Sequence, residues 1–296
     1  MTLATFLIQC LNALQYGLLL FLVASGLTLI FGIMGVINLA HGSFYMIGAY
    51  MAFALAPLVG ATFGGGFFAT LAVGLVLAVL LGYMLEWAFF SFLYEREHLQ
   101  QVLMTYGLIL VFEELRSLLV GDDVHGVAPP PLLAGTLPLG DMMTYPIYRL
   151  FISGVCLALA LGMYFVFTRT RLGMMIRAGS GGKEQREMVQ SLGVDIKFLY
   201  RVVFAAGVAI AVLAGMVAAP VSSVYPGMGS TVLIICFVVV VIGGVGSIRG
   251  ALVAALLIGV VDTFGKVFLP QAAGVLVYVL MALILLWKPD GLFKAG

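Results

Sequence analysis

Nine apolar runs, at roughly 5–33, 43–60, 66–93, 101–120, 147–168, 198–221, 231–245, 250–268 and 272–287, alternate along the chain with polar connections. A membrane-crossing helix takes about 20 predominantly apolar residues, so the pattern predicts an all-α polytopic membrane protein with about 8–10 transmembrane helices, some broken or short. The first run is long enough to bend, re-enter or split. Most connections are short, and two are long: Gly121 to Pro146, rich in Pro and Gly, and Arg169 to Lys197. Residues 1–296 read as one transmembrane domain.

Composition agrees with the pattern. Of the residues, 63% are hydrophobic and 9% charged, against about 25% charged in ordinary soluble domains. No polar stretch is long enough for a separate soluble domain. The first apolar run begins almost at Met1 without a basic leader, so no cleaved signal peptide is expected. Cys10, Cys156 and Cys236 all fall in apolar runs, which argues against a disulfide framework or a metal site.

The distribution of charge says more than its sum. Arg169, Arg171, Arg177, Lys183, Arg186, Lys197 and Arg201 are half of the 14 basic residues, and the positive-inside rule puts the loop at about 169–197 in the cytoplasm. Alternating outward places Arg96, Arg249, Lys288 and Lys294 inside too, leaving Arg116, Arg149 and Lys266 near the outer side. The C-terminus is then inside. The N-terminus is outside if the first run crosses once. The loop at about 121–146, with Asp122, Asp123, Asp141 and Pro129-Pro130-Pro131, is external and extended.

Candidate chemistry is sparse. In "VINLAHGSFYMIGAYMA", residues 36–52, the apolar chain is interrupted by Asn38, His41, Gly42 and Ser43. A break in a membrane helix is tolerated where its freed backbone groups are buried in protein or line a cavity, and polar groups there are candidates for a substrate path or gate. The plainer reading is a cap, Asn38 or Ser43 satisfying the first N–H groups of the next helix near the inner face. Glu86, Glu113, Glu114 and Asp262 are the other candidates. Arg116 and Lys266 stand at helical spacing from Glu113 and Asp262, which favours structural pairs over solute contacts; Asp262 is retained as a path candidate.

"GSGGKE", 179–184, is not a phosphate loop, because Arg177 holds the first Gly position and Glu184 follows Lys183. "KEQREMVQSLGVD", 183–195, reads as a short amphipathic helix stopped at Gly193, with Met188, Val189 and Leu192 as an apolar edge suited to docking. His41, His98 and His125 are scattered, and no nucleophile elbow or zinc-helix motif accompanies them, so no enzyme active site is expected. Gly32–Gly48 and Gly243–Gly259 share a small-residue break followed by a polar or basic residue and Gly, a hint of two loosely related halves.

"GLTLIFGIMGVINLAHGSFYMIGAY" closely resembles the N-terminal signature of LivH-type permeases of branched-chain amino acid ABC transporters, and "VVIGGVGSIRGALVAALLIGVVD" resembles the late Gly-rich segment of that family. The likeness extends over nearly the whole chain. It implies the ABC importer permease fold, in the bacterial inner (plasma) membrane. The implied partners are a second permease subunit (a LivM-like heterodimer or a homodimer), two cytoplasmic ATPase subunits and a periplasmic solute-binding protein, with membrane lipid around and no nucleic acid. The family's coupling helix carries Glu-Ala-Ala, three residues, Gly. Here Glu187, Met188, Val189 and Gly193 keep the spacing and lose both alanines, and Arg186 and Leu192 complete the candidate ATPase coupling helix. The resemblance implies no catalysis and no cofactor in this chain. An ion-coupled secondary transporter is the alternative, since it too would be polytopic and Gly-broken.

Overall fold

A computed structural model describes residues 3–63, 66–94, 96–138, 144–179, 188, 190–191 and 193–293. Every apolar run becomes a helix: α1 Leu3–Met34, α2 His41–Phe63, α3 Phe67–Ala88, α4 His98–Val120, α5 Ile147–Arg169, α7 Ile196–Ser222, α8 Met228–Gly243, α9 Ile248–Phe268 and α10 Ala273–Trp287. A further helix, α6 (Arg171–Gly179), lies in the connection that the sequence pattern left without structure before residue 183. The connection between α4 and α5 carries a small antiparallel hairpin, β1 Thr136–Pro138 against β2 Thr144–Pro146.

Six helices, α1, α2, α3, α5, α7 and α9, are long and apolar enough to cross a membrane, and α8 and α10 are shorter apolar helices. α4 is long enough, but Glu113, Glu114 and Arg116 interrupt its apolar surface near one end. α1 remains one uninterrupted helix of 32 residues, about 48 Å at 1.5 Å per residue; that exceeds the roughly 30 Å hydrocarbon core.

α1 and α7 form the buried centre. They meet at Gly26 and Gly207, where a methyl on Gly26 would lie 2.7 Å from the Gly207 carbonyl oxygen. In lipid, such close backbone approach replaces the hydrophobic effect as the source of helix association. α9 crosses α1 at Gly17, α2 and α3 lie along α7, and α5 flanks α1. The large side chains of α3, α4, α5 and α10 stay exposed, as bilayer-facing surfaces do. Local signals set two helix starts: the Asp195 carboxylate accepts from the Phe198 N–H at the head of α7, and the Ser247 hydroxyl accepts from the Gly250 N–H at the head of α9.

The charge-based sidedness sorts onto the two ends of the bundle. At one end Arg149 donates to the Asn12 side chain at 2.7 Å, and His125 pairs with Val224. At the other, Gly32 abuts Gly246 and the Leu292 N–H donates to Ile242. The first end carries Asp122 and Asp123 and is the one the charge distribution expects outside; the second carries Arg249 and Lys288 and is the one it expects inside, so the two are called outer and inner below, and α1 runs once from the first to the second.

Candidate translocation site

The break at 35–40 is a return into the membrane. α1 stops at Met34, Gly35 turns the chain at φ +69°, and residues 36–40 run back along α1. His41 then sits against the middle of α1: its Nε2 lies 2.9 Å from the Val23 carbonyl oxygen, and its Cε1 would be 2.9 Å from a methyl on Gly26. Gly26 also touches Gly207, which lies 11 residues after Ile196 (207 − 196) and 15 before Ser222 (222 − 207). At 1.5 Å per residue, α2 therefore begins about 16 Å above the inner end of α7 and about 22 Å below its outer end. The expected position near the inner face is thus corrected. Six extended residues span about 20 Å, so the chain turns at the inner end and climbs halfway back before α2 starts.

The chain does the same in the opposite sense after α7. Residues 223–227 fold back, Gly227 takes the left-handed conformation as N-cap, and no side chain caps α8. Gly229 lies between Gly42 and Met46, so α8 starts beside the first turns of α2 and runs toward the inner end. α1 and α7 have opposite directions, as have α2 and α8; each pair is one long helix, a return, and a helix that begins within the membrane. That is an inverted repeat. Its correspondence joins the region of Gly42 to that of Gly229, rather than Gly32–Gly48 to Gly243–Gly259 as the glycine pattern suggested. Apolar run length could have shown it: the run at 231–245 is too short to span, and Pro226-Gly227 stands just before it.

Asn38, His41 and Ser43 are all buried. The Asn38 Oδ1 accepts from the Ala40 N–H at 3.0 Å, one residue before α2 begins, so it closes the turn ahead of the helix rather than capping the helix's own first N–H groups. Its Nδ2 has no partner, nor has His41 Nδ1. A neutral carbonyl can only accept, so Nε2 of a neutral His41 carries the proton and Nδ1 the lone pair. Gly42 faces the Gly229 backbone, and a methyl there would overlap the Gly229 carbonyl oxygen. On the α8 side, Ser230 and Thr231 are exposed in the first turn. Toward the outer end, Tyr16 lies within electrostatic reach of Asp262, Tyr45 and Tyr225.

Of the candidate acids, Asp262, Glu113 and Glu86 stand in ion pairs. Asp262 accepts from Lys266 at 2.5 Å, and Lys266 also lies 5.5 Å over the Tyr16 ring. Arg116 joins Glu113 at 3.3 Å and Asp122 at 2.9 Å. The hydrogen bond from Arg116, with another from Ser117, holds the Asp122 carboxyl below the usual aspartate range. Glu86, fully buried on α3, accepts from the Tyr94 hydroxyl at 2.5 Å and from Arg201 at 3.1 Å, tying the inner end of α3 to the second turn of α7. Sequence spacing alone could not find this pair, whose members lie 115 residues apart.

Of the coupling residues, Arg186, Glu187, Val189 and Leu192 lie outside the described residues. Met188 is exposed, and Gly193 has φ +88°, a left-handed value that suits a helix-ending glycine.

The family described as "Branched-chain amino acid transport system / permease component" matches residues 9–286. This chain belongs to that family. It is 30% identical to the high-affinity branched-chain amino acid transport system permease protein BraD of Pseudomonas aeruginosa, over 97% of this chain and 95% of the relative. It is 28% identical to the corresponding protein LivH of Escherichia coli, again over 97% and 95%. The LivM permease of Escherichia coli is 27% identical over 90% of this chain and 66% of its own length. No solved structure matches the chain. Membership of the family makes this chain a multi-pass permease, and the two membrane-embedded helix starts are the part of that permease built unlike an ordinary bundle.

Proposed function

We propose that this chain is the transmembrane permease subunit of an ATP-driven ABC importer that carries branched-chain or related amino acids across the bacterial inner membrane. The observation that supports a solute path is the meeting of α2 and α8 inside the membrane, each starting where an unbroken helix would expose no polar backbone. Asn38, His41, Gly42 and Ser43 would line or gate the path at that meeting point, and Asp262, paired with Lys266, would stand in its outer approach. Similarity to both LivH and LivM fits a permease working with a second permease subunit. Two cytoplasmic ATPases would dock on 183–193, and a periplasmic binding protein would deliver the solute at the outer end. Closure of the ATPases would then bias one state of the helix bundle, and the loaded binding protein the other.

The test is uptake into proteoliposomes holding the permease pair, its ATPases and its binding protein. Leucine, isoleucine or valine should accumulate only with ATP and binding protein, and Glu187→Arg should abolish ATPase stimulation, because a reversed charge at a docking surface repels its partner. Accumulation driven by an imposed ion gradient without ATP would replace this reading with an ion-coupled carrier.

A further inference from the structure

We infer that Asn38, His41 and the first turn of α2 form a binding step for the zwitterionic end of an α-amino acid, with the carboxylate on Asn38 Nδ2 and the α2 N-terminus. This rests on the amino-acid importer reading above and names which part of the solute the break recognises.

Three independent observations converge. First, α2 begins at mid-depth, and the positive end of its dipole, equivalent to about half a unit charge, lies in a low-dielectric surrounding. Second, the amide of Asn38 is held at that helix start by the bond from Ala40 to its Oδ1, yet its Nδ2 is buried without any partner. A buried donor left unpaired is costly in any protein and more so at membrane depth. Third, no lysine or arginine occurs in 20–30, 38–50, 203–219 or 228–240, the segments that meet around the break. An entering carboxylate would therefore find dipoles and amide donors rather than a fixed cation. Such a site holds an anion briefly and releases it, which a conduction step requires.

The neighbouring imidazole supplies the other half. With Nε2 engaged by the Val23 carbonyl, the free Nδ1 lone pair of His41 is an acceptor three residues from Asn38. An α-amino acid presents an acceptor carboxylate and a donor ammonium on one carbon, which matches in kind an orphan donor and an orphan acceptor three residues apart at one helix start. The solute's side chain plays no part in these contacts. In the present arrangement Gly42 rests on the Gly229 backbone and both orphan groups are buried, so the site is closed.

The two roles of Asn38 can be separated by substitution. Asn38→Asp retains the oxygen that accepts from Ala40, and a negative charge is favoured at a helix N-terminus, so a purely structural Asn38 is satisfied by aspartate. It removes the donor and repels a carboxylate. In the reconstituted complex at matched assembly, leucine uptake by Asn38→Asp should fall at least ten-fold. Asn38→Ser, which keeps a donor in a smaller side chain, should exceed Asn38→Ala. Parental uptake by Asn38→Asp, or equal uptake by Asn38→Ser and Asn38→Ala, overturns the inference. Failure of the parent complex to import any branched-chain amino acid is a different result: it overturns the solute assignment on which the inference rests.

Discussion

The contact between Gly42 and Gly229 holds the two membrane-embedded helix starts together, and Gly42→Ala tests it with one carbon. The added methyl would overlap the Gly229 carbonyl oxygen and lie 2.7 Å from Leu233 Cβ. Carbon atoms pack at about 3.5–4.0 Å, so the start of α8 must retreat by about 1 Å, and no side-chain rotation relieves a clash with a backbone carbonyl. Overpacking of this kind costs about 1–3 kcal/mol. Because the obstacle is backbone, the upper end applies, offset by about 1 kcal/mol from the better helix propensity of alanine. The net is about 2 kcal/mol against the closed contact, a shift of about 30-fold between closed and open arrangements. Gly154→Ala on α5 is the control, since a methyl there meets nothing within 4 Å; it should leave stability unchanged or raise it by up to about 1 kcal/mol. Thermal unfolding of the purified complexes in one detergent, with cysteine accessibility at Ser43→Cys as a second reading, measures both. Gly42→Ala should unfold earlier and make position 43 more reactive. If Gly42→Ala and Gly154→Ala shift the midpoint alike, the two helix starts do not rest on each other and the inverted-repeat geometry is wrong.

Glu86→Ala should lower the unfolding midpoint, because it removes the carboxylate that Tyr94 and Arg201 share; Glu86→Ala with Arg201→Met should cost less than the sum of the single changes, and additive unfolding energies would show that the pair is not coupled. The Asp122 carboxyl is held below its ordinary value near 3.8, so its contact with Arg116 adds stability at all higher pH and loses it as pH falls through the lowered value; amide exchange at Gly121–Val124 should stay slow at pH 5 and quicken only under stronger acid. Fast exchange already at pH 5 would place Arg116 elsewhere.

Much of this protein was legible in the order of its residues. The apolar runs became helices within a few residues of their expected bounds, because a backbone in hydrocarbon must satisfy its own hydrogen bonds and a helix is the local way to do so. The pairs Glu113–Arg116 and Asp262–Lys266 followed from spacing, since side chains three and four apart share a helix face. The polar residues of the break were visible too, at Asn38 and His41, but their depth was not: a sequence records that a helix stops and not how far the chain travels before the next begins. That was decided by packing. Gly26, Gly42, Gly207 and Gly229 let four backbones meet, and Val23 holds the imidazole of His41, which fixes α2 at the middle of α7. The inversion relating α1–α2 to α7–α8, the clamp between Glu86 and Arg201, and the orphan amide of Asn38 all arise from residues far apart in the chain, whose approach only the assembled bundle determines.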